Sequence, residues 1–171
     1  MTSVTPLRDL KSGNCLVTEQ LRIKVTDFGS VSGSIYSAYF QNRTEKSTPL
    51  TASIEDGNLT IGVGTPLYMA PEILRGDKYD KSADIFSFGC LLWEIATQRA
   101  PDLIEETLGQ VKITGPFLGK LLQLWEEGHT LPVEADWSEV WQATVRGCLQ
   151  VDSSQRPSFQ ELHHQFKTDP A

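Results

Sequence analysis

Cysteine is scarce in this chain. Three occur, at Cys15, Cys90 and Cys148, far apart and each among apolar residues. An odd count without C-x-x-C spacing argues against a disulfide framework and against a zinc site. It reads as small buried hydrophobes in a reducing compartment. An excess of base is also missing, with 15 Lys and Arg against 22 Asp and Glu and a formal net charge of -7. Phosphate-backbone binding wants clustered Lys and Arg, so nucleic acid is not an expected partner. Long apolar runs are absent too. The best stretch, residues 85–96, is interrupted by Ser87, Gly89 and Glu94 and is too short to span a bilayer. The opening "MTSVTPLRDL" lacks the apolar segment of a secretion signal. The expected setting is therefore cytoplasmic with no membrane partner, and the N-x-T matches at Asn42 and Asn58 read as chance.

What is present suits one globular domain. The chain has 171 residues, 39% hydrophobic and 22% charged, enough to bury a real core. "CLVT" (15–18) and "LRIKVT" (21–26) are short β-rich runs separated by Glu19 and Gln20, the pattern of a hairpin. Residues 30–63 are rich in Ser, Thr, Gly and Asn, which predicts a long surface loop. "KSADIFSFGCLLWEIATQ" predicts a helix with Ser82 as N-cap. Its apolar residues, Ile85, Phe86, Phe88, Leu91, Leu92, Trp93 and Ile95, surround the axis, so the helix is expected at the centre of the core. A second helix is predicted over 115–128. A third falls within 135–150, where Trp137, Val140, Trp141, Val145 and Cys148 recur at helical spacing. A last one starts near Pro157, a good first-turn residue. His163 and His164 are adjacent, face different sides, and read as ordinary surface or half-buried residues.

The polar signals come in a fixed order. "LRDLKSGN" (7–14) precedes the hairpin, which ends in "DFG" (27–29). The long loop leads to "GTPLYMAPE" (64–72), then "SADIFSFG" (82–89), and near the end "QRPSF" (155–159). Each alone is cheap, but the set in this order and spacing is specific.

From about Leu7 to Phe166 the chain resembles the C-terminal lobe of a eukaryotic protein kinase. The resemblance implies a mainly α fold with a small β-hairpin. It divides the chain into a non-matching leader (1–6) and a partial kinase domain (7–168). That domain holds a catalytic loop (7–14), a long activation segment (27–72) and a helical subdomain (73–168). Phosphoryl transfer leaves the protein little covalent work; it needs charge neutralisation and an aligned hydroxyl. By motif, Asp9 would accept the hydroxyl proton and Lys11 would hold the transferring phosphate of ATP. Asn14 and Asp27 would bind Mg²⁺ through oxygen, as a hard cation prefers. Leu16 matches the apolar residue beneath the adenine ring. Thr65 matches the substrate-loop residue that bonds to the catalytic Asp and Lys. Structural roles are implied for Phe28 and Gly29, for a buried Glu72–Arg156 ion pair, and for Asp84, which pins the backbone of the catalytic loop. Asp84 also reads simply as an acid complementing a helix N-terminus. Arg8 matches a receiver of activation-loop phosphate, with Thr60 as the hydroxyl near the substrate loop. The favoured reading of the loop is the plainer one, a solvated, variable insertion. Lys11 and Thr65 are typical of Ser/Thr kinases, and "DLKSGN" is similar to the tyrosine-kinase-like group. The implied partner is a protein substrate with a Ser or Thr hydroxyl.

Three departures accompany the match. Leu7 stands where kinases carry His or Tyr, so it can pack but cannot hydrogen-bond through its side chain. The span from Asp27 to Glu72 is longer than usual. No glycine-rich phosphate loop or strand Lys precedes the catalytic loop, and Pro6 biases Thr5 away from helix. The uncovered hairpin around Leu16 would then form an apolar face that invites a partner. Three readings stay open: a Ser/Thr kinase whose C-lobe is inactive alone, a truncated non-catalytic binding module, and an incomplete gene model.

Overall fold

A computed structural model describes Leu7, residues 9–27 and residues 65–168. The expectations for the leader 1–6, Arg8, Phe28, Gly29, the loop 30–63 and Thr60 lie outside the described residues.

The hairpin forms where the β-rich runs predict it. Strands β1 (Cys15–Val17) and β2 (Ile23–Val25) pair antiparallel, with Cys15 opposite Val25, Leu16 opposite Lys24 and Val17 opposite Ile23. The turn closes through the Leu21 amide on the Thr18 carbonyl at 2.9 Å and the Thr18 amide on the Arg22 carbonyl at 2.9 Å. Beyond the half-buried Cys15–Val25 pair at its base, neither face of this ribbon is covered by the rest of the described chain. Leu16, Val17, Leu21 and Ile23 are all more than half exposed.

The rest is helical. A 3₁₀ turn, Thr65–Tyr68, leads into α1 (Pro71–Arg75). Helix α1 has Pro at its start, where no backbone donor is lost. It stops at Gly76 in the left-handed region (φ 80°), whose amide reaches the Ile73 carbonyl while that of Asp77 reaches Glu72. Helix α2 (Ser82–Thr97) is the predicted central element. Ser82 is not its cap. It is the first helical residue, and its amide donates to the Asp80 carboxylate at 2.8 Å. The Asp80 carboxylate two residues upstream thus satisfies the orphan donor. The Asp80 carboxyl is held below the usual range by those Ser82 hydrogen bonds, first from the backbone and then from the hydroxyl.

Helices α3 (Leu103–Glu106), α4 (Phe117–Glu126), α5 (Glu139–Cys148) and α6 (Phe159–Thr168) follow. The short α1 and α3 were not predicted. In α4, Leu118, Leu121, Leu124 and Trp125 form the buried stripe. Ser138 caps α5 by accepting the Trp141 amide at 3.3 Å. The last helix begins two residues later than Pro157 suggests. Ser158 accepts the Glu161 amide at 3.2 Å, and Glu161 accepts the Ser158 amide at 2.7 Å. That reciprocal box is a stronger start signal than the proline. His163 and His164 are exposed.

The core forms around α2. Phe86 meets Trp125 edge to face with centroids 5.0 Å apart, and the Trp93 indole donates to the Pro132 carbonyl at 2.6 Å. Cys90 and Cys148 are buried, and desolvation raises both thiols, Cys148 to about 12. Cys15 is half-buried. Helices α2 and α5 approach closely because Gly89 has no side chain. A Cβ there would lie 2.7 Å from the Cys148 Cβ and 3.1 Å from Leu149 Cδ2. Both neighbours are fully packed, so Gly89→Ala should destabilise the fold by about 1–3 kcal/mol through overpacking. Urea unfolding measures this, and an unchanged midpoint would show that α5 can give way.

Candidate active site

The site is built on one short turn. Lys11 is extended (φ -157°, ψ 165°), and residues Ser12–Asn14 form a 3₁₀ turn closed by the Asn14 amide on the Lys11 carbonyl at 3.0 Å. This geometry swings three polar side chains together. The Lys11 ammonium donates to Asp9 Oδ2 at 2.8 Å. Asn14 Nδ2 donates to the same Oδ2 at 3.0 Å and to the Asp9 carbonyl at 2.8 Å. One carboxylate oxygen thus accepts from two side chains, while Leu10 anchors the segment in the interior.

The hairpin brings the fourth residue back. Thr26, next to Asp27, donates its amide (2.8 Å) and its hydroxyl (3.2 Å) to the Asn14 carbonyl. Asp27 is exposed and has φ 59°, a left-handed conformation that Asp tolerates better than most residues. Asn14 and Asp27 are therefore neighbours despite their sequence separation. Because both Asn14 Nδ2 bonds point at Asp9, its amide oxygen is turned to the other side. An amide oxygen and a carboxylate are the donors a hard cation takes, and Mg²⁺ completes its shell from water and phosphate. The residues fit that ion. Among the described residues, no group of three or more His, Cys, Asp and Glu could hold a metal ion. Leu16, predicted beneath the adenine, lies on the open hairpin.

Two buried carboxylates brace the surroundings. Asp84 Oδ2 accepts the Leu7 amide at 2.8 Å, so the first residue of the loop is tied to the start of α2 through its backbone. Glu72 and Arg156 form a fork, with Arg156 Nη1 on Glu72 Oε1 at 2.7 Å and Nη2 on Oε2 at 2.8 Å. The guanidinium also donates to the carbonyls of Gln150, Ser82 and Val151, and stacks 5.0 Å from the Phe86 ring centroid. Thr65 opens the 3₁₀ turn, but its side chain lies outside the described residues. That turn is fixed to α2 by the Ser87 hydroxyl on the Tyr68 carbonyl at 2.8 Å.

A family model described as "Protein kinase domain" matches residues 6–166. The chain belongs to the protein kinase family. Similar kinases include the "Probable serine/threonine-protein kinase drkC" of Dictyostelium discoideum, 37% identical over 155 residues, which is 91% of this chain and 17% of drkC. The "Dual specificity protein kinase shkD" of the same organism is 34% identical over 154 residues, 90% of this chain and 17% of shkD. "Serine/threonine-protein kinase dst1", again from that organism, is 29% identical over 160 residues, 93% of this chain and 18% of dst1. The chain spans less than a fifth of the length of these kinase relatives. Among the described residues, no helix is long and apolar enough to cross a membrane.

One part of this site escaped the sequence reading. Glu94 accepts the Tyr68 hydroxyl at 2.6 Å and the Ser12 hydroxyl at 3.0 Å. Burial first, then the bond to Glu94, raises the Tyr68 phenol well above its ordinary range. The only available signal was a charge inside the apolar run of α2. From sequence, Glu94 reads only as an interruption of that apolar run.

Proposed function

We propose that the chain carries the catalytic loop and metal-binding residues of a protein Ser/Thr kinase, in the manner of a kinase C-lobe. The observation that carries this reading is the convergence of Lys11 and Asn14 on Asp9 Oδ2, with Asn14 tied to the backbone beside Asp27. In the proposed reaction, Asp9 takes the proton of a substrate hydroxyl as its oxygen bonds to the γ-phosphorus of ATP. The bond from that phosphorus to the ADP oxygen breaks in line. Lys11 offsets charge on the transferring group, and Asn14 and Asp27 hold Mg²⁺, which supplies further charge neutralisation when bound. Arg8, Phe28, Gly29, Thr60 and Thr65 keep their sequence-based roles within this proposal. The Ser/Thr preference rests on Lys11 and Thr65 and on the printed names of drkC and dst1; shkD is named a dual-specificity kinase.

The uncovered hairpin favours a second reading, a docking module whose partner covers Leu16, Val17, Leu21 and Ile23. These 171 residues supply one wall of a nucleotide site. They are expected to transfer no phosphate when incubated alone with labelled ATP, Mg²⁺ and a generic protein substrate. Strong incorporation that disappears in Asp27→Ala would overturn the proposed inactivity of the isolated chain.

A further inference from the structure

We infer that Ser12 is a positioning residue, which locks the catalytic turn onto α2 through Glu94. Its hydroxyl donates to Glu94 Oε1 at 3.0 Å. The other oxygen of that carboxylate is already held by the Tyr68 hydroxyl at 2.6 Å, and the two hydroxyls stand 3.4 Å apart. Glu94 is therefore not a floating surface acid. It is an acceptor whose position is set by a buried Tyr from the segment that follows Thr65.

The same helix grips the loop twice. Asp84 holds the Leu7 amide, and Glu94, ten residues along α2, holds Ser12. Both ends of the segment bearing Asp9 and Lys11 are thus tied to one helix, the first through a backbone amide and the second through a side chain. Releasing Ser12 frees the second end. The first geometry to suffer is the turn Ser12–Asn14, which aims Asn14 at Asp9. The anchor stands on the structure alone; its catalytic consequence rests on the proposed kinase reading.

The test uses the whole chain and needs no phosphate transfer. In Ser12→Ala, amide exchange across residues 12–15 should rise about tenfold, the scale of one lost hydrogen bond to a charged acceptor. The side-chain NH₂ resonances of Asn14 should shift, while exchange in the interior of α2 stays unchanged. Ser12→Thr keeps the hydroxyl and should restore both readouts. Glu94→Gln should loosen the same turn, and adding Ser12→Ala to it should add little. An Ser12→Ala or Glu94→Gln protein with native exchange and native Asn14 resonances would overturn the inference. Failure of the chain to transfer phosphate bears on the kinase reading and leaves this result intact.

Discussion

Arg156→Leu is expected to destabilise the fold by about 3–5 kcal/mol. The size follows from what Leu leaves behind. All five guanidinium N–H donors are used, two on Glu72 and three on the carbonyls of Gln150, Ser82 and Val151. Without Arg156, Glu72 is a carboxylate only 6% exposed, facing three carbonyls that have lost a donor. The loss is that of an unpaired buried charge and does not measure what the pair contributes. Arg156→Lys should recover only part, because an ammonium cannot reproduce the planar fork. A second change, Glu72→Met in the Leu background, should regain much of the loss by removing the stranded charge. For a chain of this size the single change corresponds to a drop in Tm of roughly 6–20 °C. Urea melts with an unchanged m-value would report it cleanly. A loss below about 1 kcal/mol would mean that water reaches Glu72.

Asp9→Asn is expected to have the largest effect on chemistry. When a nucleotide-covering lobe, such as that of a related kinase, is joined in front of the chain, Asn should lower kcat for transfer roughly 10²–10⁴-fold. Asn preserves the shape and one acceptor oxygen, so the turn should stay folded. It removes the charge that pairs with Lys11 and the base that takes the hydroxyl proton. The loss should therefore fall on kcat, with little change in KM for ATP. Steady-state kinetics separates the two. If Asn retained most of the activity, the hydroxyl proton would be leaving by another route, and the role proposed for Asp9 would fall.

Legibility in the sequence varied with the range of the forces involved. The existence of the hairpin was readable from two short β-rich runs, but its register was not: Leu21, at φ 57°, joins Glu19 and Gln20 in the turn and sets Val17 opposite Ile23. Helix α2 was readable because its apolar residues crowd all sides of the axis. Its start was misplaced because Ser82 and Asp80 are both good cap residues. Only the local backbone path decides which side chain meets the orphan amide. The same competition moved the start of α6 from Pro157 to the box formed by Ser158 and Glu161. The short helices α1 and α3 carry too few residues for a period to show.

At the site, the family resemblance implied a shared Mg²⁺ role for Asn14 and Asp27 on either side of the predicted hairpin. It could not reveal Glu94, which approaches Ser12 from 82 residues away. By itself, then, the sequence determined the family, the order of the elements and the identity of the chemical groups. These depend on local preference and on motif order, which are properties of the chain as a string. Tertiary structure alone decided that Glu94 braces the loop, whereas the family resemblance already implied that role for Asp84. Glu94 looks like an ordinary helix acid until folding places the hydroxyls of Tyr68 and Ser12 within hydrogen-bonding distance of it. Those donors come from distant parts of the chain, 26 and 82 residues away, and no local pattern encodes which ones they are.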